Sequence, residues 1–104
     1  MPAPPAPDAW SVRTHTVPGT SATTLVVAGR IGSDGARDLR AALWDVATPG
    51  GTVHVDLARV DYISSAGLAV LREVAKLQRA SGGTLVITAT SEMVGLALRL
   101  AGGL

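Results

Sequence analysis

Two kinds of apolar pattern alternate along this chain, and that alternation restricts the fold more than any other feature. Residues 23–28 (TTLVVA), 52–57 (TVHVDL) and 84–89 (TLVITA) are short runs rich in β-branched side chains, the pattern of strands. Between and after them lie segments whose apolar residues recur with helical spacing. Residues 10–17 alternate polar and apolar side chains and form a further strand. Residues 18–22 carry turn chemistry, with Pro18-Gly19 at the start, so the first two strands are expected to pair as an antiparallel hairpin.

The helices follow from period and punctuation. Ser33 is expected to cap a helix to Val46, with Asp34 favourable in the first turn. At 100° per residue, Ala36, Leu39, Ala42, Leu43 and Val46 share one face. Pro49-Gly50-Gly51 ends that unit. After residue 57 a short loop leads to a helix over residues 66–80, stopped by Ser81-Gly82-Gly83. The near-continuous apolar run 84–89 reads as a strand covered on both faces. Ser91 caps a last helix reaching about Ala101. The fold class is α/β: a mixed, mostly parallel four-stranded sheet with an N-terminal antiparallel hairpin, helices packed on the sheet, in the order β-β-α-β-α-β-α.

Composition narrows the function. The 104 residues fit one domain, over residues 10–104, behind a flexible Pro/Ala-rich tail over residues 1–9. Hydrophobic residues make up 47% of the chain with only Trp10, Trp44 and Tyr62 aromatic, which suits thin aliphatic layers. There is no cysteine, so disulfides, thiolate metal sites and cysteine nucleophiles are excluded. The N-terminus has no basic segment followed by an apolar run, and no stretch is long enough to span a bilayer. The expected location is the cytoplasm, without membrane insertion. Nine basic residues are spread along a chain of net charge +1, which argues against nucleic acid. No cofactor is expected: the glycine-rich turns match neither the P-loop nor the dinucleotide fingerprint, and His15 lacks partners at metal-ligand spacing.

The segment that carries chemistry is residues 56–71, DLARVDYISSAGLAVL. A strand ends, and Ser64-Ser65-Ala66-Gly67 opens a helix whose free N–H groups favour negative charge. Two readings compete. In one, Ser64 or Ser65 merely caps the helix and Gly67 merely permits close packing. In the other, a serine accepts a phosphoryl group, which places about two negative charges on the surface without unfolding the helix. Projection separates the serines. Leu68, Val70, Leu71, Val74, Ala75 and Leu77 fall on one half, with polar Gln78 as the exception; Arg72, Glu73, Lys76 and Arg79 fall on the other. Extended backward, Ser65 lies on the charged half and Ser64 on the apolar half. Arg72, Lys76 and Arg79 form a basic strip on the side of Ser65, suited to an acidic partner surface or simply to solvent. His54 and Asp56 share one side of a strand, but nothing in the spacing builds a Ser-His-Asp triad, and the chain is not expected to be an enzyme.

DLARVDYISSAGLAVL resembles the signature of the STAS domain family, named for sulfate transporters and anti-sigma-factor antagonists. GGTLVITATSEMVGLALRLAGGL is also similar to the family, and the resemblance covers about residues 10–104. It implies an anti-sigma factor antagonist that binds a serine-kinase anti-sigma factor when unphosphorylated and leaves it when phosphorylated, with a serine phosphatase restoring the active form. The phosphorylation site it implies is Ser65, with Ser64 the alternative; Asp34, Asp56, Ser64, Gly67, Arg72 and Lys76 are the candidate partner-binding residues. Three positions depart from the family pattern. Ala66 precedes Gly67 where a second hydroxyl is common, Ser64 stands where many members have Asp, and Gly32 occupies an Asp position whose role either falls to Asp34 or is absent. The chain also stops at Leu104, where the family continues into another strand. The departures keep a second expectation open, a constitutive STAS subunit of a transport or signalling complex.

Two further features point to partners. The last helix is apolar nearly all round, through Met93, Val94, Leu96, Ala97, Leu98, Leu100 and Ala101. Such a helix wants cover on more than one side, by a second copy in a homodimer or by another protein; the alternative leaves Val94 and Leu98 as exposed apolar residues. Trp44 projects to the edge of the first helix near Arg37 and Arg40, where packing on arginine stems or a binding hot spot would each fit.

Overall fold

The computed structural model describes residues 10–16 and 22–103. Its elements are β1 (Trp10–Thr16), β2 (Ala22–Ile31), α1 (Ser33–Val46), β3 (Thr52–Ile63), α2 (Ser65–Ala80), β4 (Thr84–Thr90) and α3 (Glu92–Leu100). The parallel part of the sheet is three strands: β2 pairs with β3 and β3 with β4. β1 adds antiparallel along β2, giving the order β1-β2-β3-β4. The α/β class and the three helices follow the sequence reading. The proposed turn after β1 and the tail over residues 1–9 lie outside the described residues.

One face of the sheet meets the helices. Leu25, Val27, Val53, Val55 and Leu57 are fully buried or nearly so, against Ala36, Leu39 and Leu43 of α1 and Val70, Leu71 and Val74 of α2. Each large aliphatic side chain removed from water here contributes about 1.5–3 kcal/mol, which is what holds α1 and α2 on the sheet. Gln78, the polar residue on the apolar half of α2, is buried as well. Its Nε2 donates to the carbonyls of Thr48 and Gly51, both at 2.7 Å, and so ties the end of α2 to the loop before β3. Leu77 departs from its predicted face: it is 45% exposed and flanks a shallow hollow with Trp44, itself 45% exposed.

Two strand boundaries and one burial pattern correct the sequence reading. β2 does not stop at Ala28 but runs to Ile31, because Gly29 adopts φ 95° and absorbs a kink that a side chain would resist. β3 does not give way to a loop after Leu57 but continues to Ile63. Its pairing with β2 shifts between Val26 and Ala28 and again between Gly29 and Arg30, so β3 carries two extra residues. Each extra residue exchanges the faces, and the buried positions move from Val53, Val55 and Leu57 to Val60 and then Ile63. A regular two-residue period therefore fails over residues 58–63 although the strand persists. β4 is not covered on both faces: Leu85 and Ile87 pack against the core, and Thr84, Val86, Thr88 and Thr90, on the opposite face, are exposed.

The helix starts also differ from expectation. Gly32, not Ser33, is the N-cap of α1, and no side chain caps it. In α3, Val94 is fully buried, which rules out its being an exposed apolar residue; Met93, Leu96 and Leu100 are exposed. Among the described residues no helix is long and apolar enough to cross a membrane.

Candidate functional site

The ends of β2 and β3 bring two helix starts together. Ile31 and Ile63 are register partners and both buried, and the Ser64 amide donates to the Ile31 carbonyl at 2.9 Å. α1 begins at Ser33, two residues after Ile31, and α2 begins at Ser65, two residues after Ile63. Asp34, in the first turn of α1, and Ser65, in the first turn of α2, are thus carried at the same carboxyl edge of the sheet, and both are exposed. Free amides of the first turn and the helix dipole make this edge favourable to negative charge.

The two serines divide the work as their projection suggests. Ser64 is half-buried and is the N-cap: its Oγ accepts from the Gly67 amide at 3.1 Å, and its carbonyl accepts from the Leu68 amide at 3.0 Å. Ser65 lies outside the cap and is exposed. Gly67 is buried beneath them. A Cβ at this position would stand 2.7 Å from Cγ1 of Ile63 and 3.1 Å from Cγ2 of Ile31, so the missing side chain lets α2 start hard against the strand ends.

Ser65 borders an open hollow of about 440 Å³ with Leu68, Ala69, Arg72 and Ala101. Arg72 is exposed, and its Nε donates to the Gly103 carbonyl at 3.3 Å. The turn after α3 therefore closes one side of the hollow, held also by the Gly103 amide donating to the Leu98 carbonyl at 2.7 Å. Nothing in the sequence marked Ala101 as a neighbour of Ser65 or Gly103 as a partner of Arg72, because the approach is a product of how α3 packs. Lys76 is exposed further along α2, and Glu73 is engaged by Arg40 of α1 at 2.9 Å. A second unforeseen contact lies on the paired residues Arg30 and Tyr62, where the guanidinium sits 4.2 Å from the ring centroid.

Asp56 is not brought to the site. It lies nine residues before Ser65 along an extended strand, on the order of 20 Å away. Its Oδ1 accepts from the Ala58 amide at 2.9 Å and serves the first irregularity in β3. The same separation removes His54 and Asp56 from reach of either serine.

The fold defines a class: an α/β domain whose parallel strands end beneath an exposed serine at a capped helix start. Residues 15–102 match the family described as Mlab, STAS domain, and the chain belongs to the STAS domain family. Among solved structures it is similar to an anti-sigma factor antagonist from Mycobacterium paratuberculosis, with 22% identity, 93% of this chain and 81% of that one covered, and a TM-score of 0.79. It is also similar to the anti-sigma factor antagonist SpoIIAA in its unphosphorylated form, at 16% identity, 88% and 81% coverage and a TM-score of 0.72. The phosphorylated form of the Bacillus cell fate determinant SpoIIAA gives 14% identity, 90% and 84% coverage and a TM-score of 0.68. At these identities the likeness is one of fold. No curated protein matches the chain.

Proposed function

We propose that this STAS domain, spanning residues 10–104, is an anti-sigma factor antagonist switched by phosphorylation of Ser65. It acts by binding, in the cytoplasm, without cofactor or catalysis. The unmodified domain docks a serine-kinase anti-sigma factor through the edge that carries Asp34, Ser64, Ser65 and Gly67, with Arg72 and Lys76 extending the surface along α2. The kinase transfers the γ-phosphoryl group of ATP to Ser65 Oγ, the hydroxyl proton leaves, and ADP is released. The product carries about two negative charges in the middle of the docking surface. Taking a dianion out of water against a partner costs more than the unmodified contact gains, and the complex separates. A serine phosphatase reverses the step.

The observation that carries this reading is the division of labour between neighbours. Ser64 makes the cap and Ser65 does not, so the exposed hydroxyl has no part in starting the helix. Its modification changes surface charge and leaves the fold in place. The test is incubation of the chain with its cognate kinase and ATP, followed by intact-mass measurement. One phosphate on the native chain and none on Ser65→Ala is expected; an unshifted native mass, or a Ser65→Ala chain still modified at Ser64, counts against Ser65.

A second reading is favoured by Gly32, which stands where the family pattern has Asp. Here the domain is a constitutive subunit of a transport or signalling complex. That reading expects co-purification with membrane components from native cells and unaltered behaviour of Ser65→Ala.

A further inference from the structure

We propose that Arg72 is the residue that receives the phosphoryl group on Ser65, and that in doing so it lets go of the turn after α3. The inference rests on Ser65 carrying the phosphate, and names what the phosphate does to the domain itself.

Ser65 and Arg72 are seven residues apart on one helix. Seven steps of 100° return to within about 20° of the starting direction, and the rise is about 10.5 Å. Side chains on a helix tilt toward its N-terminus, so the long arginine stem leans back toward Ser65. Between them, one turn after Ser65, stands Ala69, whose methyl group leaves the path open. All three residues border the same hollow. A phosphoryl group extends Ser65 into that hollow, and an extended guanidinium closes the remaining gap.

The present partner of Arg72 is a weak competitor. The Gly103 carbonyl is neutral and accepts at 3.3 Å, beyond the usual range for such a bond. A phosphate dianion offers several charged acceptors and favours the planar guanidinium fork over a single contact. Three other basic groups are occupied or misplaced. Arg30 lies over Tyr62, Arg99 borders a separate hollow with Thr90 and Glu92, and Lys76 is a further turn from Ser65. When Arg72 turns to the phosphate, the turn at residues 101–103 keeps its bonds to α3 but loses its tie to α2. One chemical event then alters two parts of the surface: charge appears at Ser65, and the turn after α3 is released from α2.

The experiment uses the full chain with phosphoserine incorporated at position 65 during synthesis, so that no kinase is needed. Failure of a kinase to act on Ser65 would then leave this result standing, and the two claims are separable. Phosphorus NMR follows the second ionisation of the phosphate with pH, and carbonyl NMR follows Gly103. The expected result is a midpoint about half a pH unit higher in Arg72→Gln than in the native phosphorylated chain, as one nearby guanidinium predicts. Lys76→Gln should stay at the native midpoint. The Gly103 carbonyl shift should move on phosphorylation of the native chain and match that of unphosphorylated Arg72→Gln. Equal midpoints in the native and Arg72→Gln chains would overturn the proposal, as would an equal rise in Lys76→Gln, which would indicate only the general field of the basic strip.

Discussion

Gly67 has no room for a methyl group. A Cβ there would overlap Ile63 and crowd Ile31, both buried ends of paired strands, so neither can move aside freely. Gly67→Ala should cost about 1–3 kcal/mol of stability, the usual penalty for overpacking, read as a lower midpoint in urea unfolding with unchanged slope. Gln78 presents the opposite case, a side chain whose loss removes two hydrogen bonds to carbonyls that also accept from the Gly51 and Thr84 amides. Gln78→Ala should cost about 1–3 kcal/mol in the same measurement. Both residues were visible in the sequence, Gly67 within a family-like signature and Gln78 as a polar break in an apolar half. Only coordinates reveal why Gln78 is there, since its acceptors lie some thirty residues upstream and no local pattern announces them.

Helix α2 concentrates the tests that belong to single elements. Ser64 caps it, so Ser64→Ala should cost about 1 kcal/mol, whereas Ser65→Ala, outside the cap, should change stability by less than about 0.5 kcal/mol. Comparable losses from both substitutions in thermal or urea unfolding would contradict the assignment of roles. The Arg40–Glu73 pair that joins α1 to α2 is exposed on both sides, at 52% and 41%, and Arg40→Ala should cost no more than about 1 kcal/mol, less at high salt. Helices were the legible elements, because their apolar period holds over most of their length, with Leu77 and Gln78 of α2 the exceptions. β3 was legible only to Leu57. Beyond it two extra residues exchange the buried face twice, and a strand with a broken period looks like a loop. β4 misled in the other direction: TLVITA is apolar enough for a strand covered on both faces, yet only Leu85 and Ile87 pack on the core while the alternate residues face away from it, and which face is covered is not written in local sequence.

The molecule as a whole is a sheet with helix starts gathered at one edge, and the edge is what the proposed switch uses. Strand-helix alternation foretold that arrangement, since parallel strands joined by crossovers must begin their helices at the same end. The chemistry of the site was less open to reading. The accessible serine could be picked out by projection, but Asp56 was grouped with it on the strength of a motif, and an extended β3 keeps them on the order of 20 Å apart. The measurement closest to the central claim is calorimetric titration of a cognate serine-kinase anti-sigma factor with two preparations of this domain, bare and phosphorylated at Ser65. Tight binding by the bare form and a loss of at least about 100-fold, near 2.7 kcal/mol, in the phosphorylated form is the predicted outcome. Equal affinity of the two preparations would mean that the exposed hydroxyl does not govern docking.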